Sequence, residues 1–400
     1  MTPPTGRRQP QAARLAVAAV FFANGALFAN VIPRYPEIRN DLGLSNAGLG
    51  SALAAFPLGA LVAGVFAAAL IQRFGSARVA TVGIVGLAGA LVLVGLAPSW
   101  AVLAAILFVA GGIDAVTDVG QNAHGLRVQR AYGRSIVNSF HGIWSIGAVF
   151  GGLMGAATIA LGVSLEVALV AASLFFGAVA LVSYHFLLRG PDDTERAQHA
   201  RSKVSGSTLR ALAALGVLAA CGAVVEDAGA SWGAIYLKDD LGTAAAVAGL
   251  AFVALQTAMT VGRLTGDRVV DRFGQRTVVR VGGIVTAVGM GCALAISSPA
   301  SALVGFALAG LGVATLVPAA MHTGDELPGL PAGVGLTVVS VLLRVGFLAS
   351  PPLVGLTADA VSLRVGLLGV VIAGTVVVFF SRVLLQHNVV AVTDAAPTRA

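Results

Sequence analysis

The sequence predicts an all-α membrane protein with twelve transmembrane helices. Hydrophobic residues make up 57% of its 400 residues, the mean hydropathy is +0.90, and only 11% of the residues are charged. A soluble domain carries roughly twice that share of charged residues. Apolar stretches of about 20 residues, long enough to cross a membrane, recur along the whole sequence. Because only short polar segments separate them, we expect no soluble domain.

Each apolar stretch predicts one helix. The first stretch is too long for the hydrophobic part of a signal peptide and contains Asn24 and Asn30, so we interpret it as a transmembrane helix. The predicted spans are residues 13–33, 46–71, 79–97, 101–125, 137–161, 165–188, 210–237, 245–266, 277–296, 300–322, 333–357 and 362–385.

The net charge is +7 and the pI is near 10.2, and the distribution of the basic residues along the chain indicates the membrane topology. Most lysine and arginine residues fall on the same side of the membrane if the N-terminus is cytoplasmic, as in segments 7–14, 127–134 and 268–280. Cytoplasmic loops carry such an excess of positive charge. We therefore predict a multi-pass protein of the bacterial inner (cytoplasmic) membrane with both termini in the cytoplasm, and we expect no nucleic-acid partner.

The cysteine residues indicate neither a metal site nor a disulfide. Cys221 and Cys292 lie in separate apolar spans, and no His/Cys cluster has the spacing of metal ligands. Small, apolar thiols of this kind pack as hydrophobic residues. We expect no cofactor and no metal.

The chain divides near its midpoint. Residues 189–209 form its longest polar segment, which we interpret as a cytoplasmic linker between two six-helix halves, residues 1–188 and 210–400. Landmarks repeat between the halves at nearly the same interval: Arg73-Phe74-Gly75 and Arg272-Phe273-Gly274, Tyr35 and Tyr236, Gly152 and Gly355. Internal duplication of this kind is typical of one large class of secondary transporters.

After the eighth span, residues 267–276 read Asp-Arg-Val-Val-Asp-Arg-Phe-Gly-Gln-Arg. This segment resembles G-x-x-x-D-R-x-G-x-R/K, the signature loop of the major facilitator superfamily. Here Asp267 replaces the leading glycine, and the segment after the second span has Gln72 at the aspartate position. The resemblance implies that this loop holds helix ends together in one conformational state. Its matching residues are Asp267, Asp271, Arg272, Gly274 and Arg276.

Further segments resemble a bacterial group of this superfamily related to fucose-proton symporter-like permeases. They are residues 30–45, 118–129, 138–153, 226–242 and 351–364, so the resemblance spans nearly the whole chain. It implies the fold of the superfamily, two pseudo-symmetric six-helix bundles. It also implies that helices 1, 4, 7 and 10 line a central cavity and that transport proceeds by alternating access.

Ionisable residues inside the spans are candidates for function, because a charge at the bilayer centre costs about 2.5–3.5 kcal/mol. At about 100° per residue, the fourth span has one polar stripe that includes two aspartates. The fifth span contributes a histidine at similar depth. We predict that the proton-coupling residues are Asp114, Asp118, Glu226, Asp227 and His141.

Amides, aromatic rings and an arginine near these residues suit a sugar-like solute. We pair Arg344 with Glu226 or Asp227, with a static ion pair as the alternative, and we interpret Arg263 as a structural anchor. Trp232 fits the aromatic belt of the membrane interface equally well. The predicted substrate-binding residues are Asn24, Gln121, Asn122, Asn138, Trp144, Trp232 and Arg344.

These observations predict a monomeric secondary transporter that takes up a small polar solute together with protons. Proton-coupled efflux of an amphipathic or drug-like compound is the alternative, although the proline of the antiporter motif G-P-x-x-G-G is missing at Ala148. Asp114-x-x-x-Asp118 resembles one of the aspartate motifs that bind Mg²⁺-diphosphate in intramembrane prenyltransferases. Such an enzyme needs a second aspartate-rich motif, which this sequence lacks, so we expect no enzymatic activity. A channel would be built from identical subunits around a pore, whereas this chain has two unlike halves with scattered charges.

Overall fold

The computed structural model describes residues 8–133, 136–188, 205–328, 330 and 334–384. In this part of the chain, twelve helices have the length and apolar composition needed to cross a membrane, which confirms the predicted number. They are α1 Gln9–Asp41, α2 Asn46–Gly64, α3 Ser76–Gly95, α4 Trp100–Tyr132, α5 Ser139–Ala160, α6 Leu165–Tyr184, α7 Gly206–Asp240, α8 Ala245–Phe273, α9 Gln275–Ile296, α10 Pro299–Asp325, α11 Val334–Ala360 and α12 Leu363–Val383.

Several helices end elsewhere than hydropathy predicts. Helices α4 and α8 continue for about two turns beyond the predicted ends at 125 and 266, and these last turns carry polar residues. A hydropathy criterion stops at such residues, whereas the backbone hydrogen bonds of a helix continue through them. Helix α2 ends early, and a separate short helix, Ala67–Phe74, follows it. Most of the predicted linker, residues 189–204, lies outside the described residues.

The turns after the second and eighth spans have the same structure. Gly75 has φ 84° and ψ 146°, and Gly274 has φ 80° and ψ 143°. These angles are essentially restricted to glycine. The guanidinium of Arg73 lies 5.3 Å from the ring centre of Phe74, and that of Arg272 lies 5.5 Å from the ring of Phe273. This match supports the prediction that the two halves are repeats.

Small residues bring α1 and α5 into backbone contact. A Cβ atom on Gly147 would lie 2.3 Å from the carbonyl oxygen of Phe22, and one on Gly151 would lie 2.2 Å from that of Ala26. Small residues allow this close approach of helices in membranes. It places the polar side chains of α1 beside those of α5.

The N-terminal and C-terminal spans meet mainly along two helix pairs, α2 with α11 and α5 with α8. A Cβ atom on Gly355 of α11 would lie 2.5 Å from the carbonyl oxygen of Asn46, and one on Gly152 of α5 would lie 3.0 Å from the ring of Phe252. Gly152 and Gly355 are one of the repeated landmarks. Both therefore lie at contacts between the halves, as a repeat would require.

Ionic contacts join the halves at one end of the bundle. We call this the distal end, where α1 ends and α2 begins, and the opposite end the linker end, where Gly75, Gly274 and Ser205 lie. At the distal end, Arg39 forms an ion pair with Asp239, and Asp359 of α11 accepts hydrogen bonds from the start of α2. The halves are therefore closed against each other at the distal end.

Helix α7 is irregular next to its acidic residues. After Asp227 the helix widens into π-helical turns at Ala228–Trp232 and again at Tyr236–Asp240. Such widened turns occur frequently at functional sites, because they change the direction in which neighbouring side chains point.

Candidate functional site

A hydrogen-bonded triad joins α1, α4 and α5. The Nδ2 group of Asn24 donates to Oδ1 of Asp114 over 3.1 Å, and the indole Nε1 of Trp144 donates to Oδ1 of Asn24 over 2.6 Å. Because an indole nitrogen can only donate, this contact fixes the orientation of the Asn24 amide. Asn24 is buried, whereas Asp114 and Trp144 are half-buried.

A second polar cluster extends from the same face of α4 to α5. Oδ1 of Asp118 accepts hydrogen bonds from the side-chain amides of Gln121, over 3.3 Å, and Asn122, over 3.0 Å. The amide oxygen of Asn122 lies 3.0 Å from Nε2 of His141. The edge of the His141 ring meets Phe21 of α1, with ring centres 5.4 Å apart. The structure thus brings Asp118 and His141 together through one intervening side chain.

Glu226 of α7 forms its ion pair with Arg263 of α8, and the predicted pairing with Arg344 is wrong. Nη2 of Arg263 lies 3.6 Å from Oε2 of Glu226, and both side chains are partly exposed. The physical reason is packing: α8 and α7 present these groups to each other, which depth along the helices cannot reveal. Arg344 is half-buried and acts electrostatically on Asp114 in the other half.

The side chain of Asp227 points in a different direction from that of Glu226, because adjacent residues of a helix do not face each other. Its side chain is buried, and its Oδ1 accepts a hydrogen bond of 2.6 Å from the hydroxyl of Ser231. The hydroxyl of Ser350, on α11, also lies close to this carboxylate. Its electrostatic neighbours are Glu226 and, from α1, Tyr35.

Two predicted substrate-binding residues, Trp232 and Gln121, are buried and therefore closed to a solute. Trp232 is fully buried and packs near Gly355 of α11, so it is neither open to a ligand nor part of an interfacial belt. Gln121 is also buried, whereas Asn122 is half-buried and hydrogen-bonded to Asp118 and His141. Asn138 lies directly before α5, in the first turn of the helix Val137–Ala160, and its side chain is outside the described part of the structure.

The predicted conformational loop is mostly helix, which corrects the sequence interpretation. Asp267, Asp271 and Arg272 are exposed on the last turns of α8, and only Gly274 forms the turn. Arg276 lies in the first turn of α9, where its guanidinium donates to the carbonyl oxygen of Leu384 over 3.0 Å. That contact ties the start of α9 to the end of α12.

Sequence reasoning missed Arg263 as a member of the site. Besides pairing with Glu226, it acts electrostatically on His141 across the contact between α8 and α5. The signal was available, since an arginine within a span is expensive and is a functional candidate by default. Its interpretation as a loop anchor came from its position near the end of the predicted span.

Acidic groups outnumber arginines in the middle of the spans. The described carboxylates there are Asp114, Asp118, Glu226 and Asp227, and the arginines are Arg263 and Arg344. Charges at this depth require partners or neutralisation. Among the described residues, no group of three or more His, Cys, Asp or Glu side chains could hold a metal ion.

Comparisons of the sequence agree on one family. The sequence model of the Major Facilitator Superfamily matches residues 17–225 and 212–398. The chain is 32% identical over 373 residues to the membrane protein MosC of Rhizobium meliloti, covering 92% of this chain and 90% of MosC. It is 29% identical over 334 residues to an uncharacterised MFS-type transporter of Yersinia pestis, covering 83% and 85% of the two chains.

Solved structures share the fold. A bacterial homologue of the human lysosomal transporter Spinster matches with a TM-score of 0.72 at 16% identity, over 94% of this chain and 98% of that one. The nucleoside transporter NupG matches with 0.68 at 12% identity, over 94% and 96%. The transporter FucP matches with 0.63 at 16% identity, over 94% and 99%. At these identities the likeness concerns the fold alone.

Proposed function

The chain belongs to the major facilitator superfamily, and from that premise we propose that it takes up a small polar, sugar-like solute together with protons. In this proposal it works as a monomer in the bacterial inner membrane. The two six-helix halves, residues 1–188 and 210–400, would move against each other by alternating access. The linker end would face the cytoplasm and the distal end the outside.

The triad of Asn24, Asp114 and Trp144 carries the proposal for the solute. The indole face of Trp144 offers apolar contact to a sugar ring, and the carboxylate of Asp114 offers hydrogen bonds to its hydroxyl groups. The buried amide of Asn24 holds these two side chains in place. Arg344 acts on Asp114 from the opposite half, so a solute bound between them would contact both halves. Binding of this kind favours one relative position of the halves over the other.

The surplus of intramembrane carboxylates supports proton coupling. With Glu226 paired to Arg263, Asp114 and Asp118 share α4 and lie about 6 Å apart along the helix. Like charges at that separation in a poorly solvated site disfavour simultaneous ionisation. A proton bound to one of them removes that repulsion, and alternating access would expose the carboxylate to each side in turn.

The first experiment identifies the solute class. Purified protein in detergent is heated with neutral sugars, organic acids or drug-like cations, and the shift of Tm is measured. We expect neutral sugars to stabilise the protein, because a bound ligand shifts the folding equilibrium by mass action. Stabilisation by the drug-like cations alone would contradict the proposal and favour efflux of amphipathic compounds.

The second experiment tests proton coupling at α4. Proteoliposomes containing Asp118→Asn should lose accumulation of the identified sugar driven by a pH gradient, yet retain exchange at equal concentrations. Exchange needs no net proton step, so the neutral side chain suffices. Asp41→Asn, which removes an exposed carboxylate at the distal end, is the matched control. If Asp114→Asn and Asp118→Asn both still accumulate sugar, α4 is not the coupling site.

A further inference from the structure

Asn122 occupies the space between Asp118 and His141. Its Nδ2 group lies 2.9 Å from the main-chain carbonyl oxygen of Asp118 and 3.0 Å from the carboxylate Oδ1 of the same residue. Its Oδ1 lies 3.0 Å from Nε2 of His141. All of the hydrogen-bonding groups of this amide that face its two neighbours are therefore engaged.

The contact with the main chain settles which way the Asn122 amide points. A carbonyl oxygen can only accept a hydrogen bond, so the group facing the carbonyl of Asp118 must be the NH₂ group of the amide. This holds whether the Asp118 carboxyl is ionised or protonated. The amide oxygen of Asn122 then faces His141.

The orientation of Asn122 in turn fixes the tautomer of His141. An amide oxygen only accepts, so Nε2 of His141 must carry a hydrogen, and in the neutral ring Nδ1 is then the unprotonated nitrogen. His141 is exposed near the linker end of α5. The groups that face it are Asp118 of α4, Arg263 of α8 and the Phe21 ring of α1.

We propose that Asn122 is a positioning residue that holds His141 in the Nε2–H tautomer and leaves Nδ1 as its proton-binding atom. The side-chain amide does not pass a proton from His141 to Asp118, because its oxygen accepts and its nitrogen donates in fixed directions. When Nδ1 binds a proton, the positive charge of the ring therefore acts on Asp118 through two hydrogen bonds, and no proton passes between the two residues. In the transport cycle His141 is then a sensor of pH on the linker side, and Asp118 is a separate proton site.

Nitrogen NMR of protein labelled with ¹⁵N-histidine tests the tautomer directly. The chain has six histidines, and the difference between the spectra of wild type and His141→Gln assigns the signals of His141. At alkaline pH we expect Nε2 protonated and Nδ1 unprotonated. Asn122→Ala should abolish this single state and give a mixture of both tautomers. A wild-type His141 protonated on Nδ1 would overturn the proposal.

Gln121→Ala is the matched control for Asn122→Ala. Gln121 also donates to Oδ1 of Asp118, so its removal takes a hydrogen bond from the same carboxylate without touching His141. The control should keep the wild-type tautomer of His141. If Gln121→Ala changes the tautomer as much as Asn122→Ala does, the effect is a general loosening of α4, and Asn122 has no specific positioning role.

The part of the proposal that concerns pH sensing rests on the proposed transport function. In proteoliposomes, the change of uptake with internal pH that depends on His141 should disappear in Asn122→Ala as it does in His141→Gln. Asn122→Gln, which keeps an amide, should restore part of this pH dependence. If Asn122→Ala keeps the wild-type dependence of uptake on internal pH, the sensing role is contradicted. Failure of transport itself leaves the NMR result standing, so the two failures are distinguishable.

Discussion

Asp359, at the end of α11, binds the first turn of α2 through Asn46. Its Oδ1 accepts from the backbone amide and from the Nδ2 group of Asn46, both over 3.0 Å, and its Oδ2 accepts from the amide of Ala47 over 2.8 Å. The first amides of a helix have no partner within the helix and carry partial positive charge. A carboxylate from one half therefore caps a helix of the other half.

We predict that Asp359→Asn weakens closure of the distal end. The amide can accept at only one atom and has no charge to interact with the start of α2. Such a contact at an exposed site contributes about 1 kcal/mol, so the ratio of closed to open molecules should fall roughly fivefold. Spin labels on Leu161 and Val361, which are exposed at the distal ends of α5 and α11, would report the change as a longer distance distribution.

The matched control for Asp359→Asn is again Asp41→Asn. Asp41 is an exposed carboxylate at the same end of the bundle, on the last residue of α1. Its replacement should leave the distances between the labels unchanged. Equal effects of the two substitutions would indicate a general electrostatic change at the distal end, and the cap by Asp359 would have no specific role.

A double-mutant cycle separates the observed partner of Glu226 from the predicted one. Glu226→Gln and Arg263→Gln should each lower the free energy of unfolding. The double variant should lose about 1 kcal/mol less than the sum of the two single losses. The cycle of Glu226→Gln with Arg344→Gln should be additive. Thermal unfolding in detergent measures both cycles. Additivity in the first and coupling in the second would reverse the assignment.

The twin turns predict equal sensitivity to a side chain at two distant sites. Gly75→Ala and Gly274→Ala should each destabilise the protein by roughly 1–3 kcal/mol, because the backbone angles there are essentially restricted to glycine. Gly369→Ala, at a helical position of α12 where a Cβ atom would meet nothing within 4 Å, should cost nothing. A large difference between the first two variants would argue against equivalent turns.

Membrane topology can be tested with two exposed positions at opposite ends of α7. In a chain with both native cysteines replaced by alanine, Asp240→Cys should react with an impermeant thiol reagent on intact cells. Ser207→Cys should react only after the cells are opened, because the charge distribution predicts that the linker end faces the cytoplasm. The opposite pattern would place the linker end outside and contradict the proposed topology.

The architecture was largely predictable because it depends on local composition. Twelve apolar segments give twelve helices, since a backbone in lipid must satisfy its hydrogen bonds within the segment. The repeat of Arg73-Phe74-Gly75 at Arg272-Phe273-Gly274 predicted twin turns, and their angles and ring contacts agree. The family that the sequence resembles is confirmed. Helix ends were less predictable, because polar last turns remain helical.

The candidate site was predictable only in part. The polar stripe of α4 and its proximity to His141 follow from helical periodicity and from depth, and the structure places Asp118 and His141 one side chain apart. The partner of Glu226, the burial of Trp232 and the roles of Asn122 and Asp359 did not follow. Each depends on which helices are neighbours and on how each helix is rotated about its axis.

The sequence by itself determined the number of membrane helices, the duplicated turns and the intramembrane positions of the charged residues, because each is a property of a short stretch of chain. Only the tertiary structure decided which charges meet. Glu226 and Arg344 have matching depths, yet Arg263 is the ion-pair partner, since a contact of a few ångströms requires the right rotation and neighbour as well as the right depth. The same reason assigns Asn122 to the gap between Asp118 and His141.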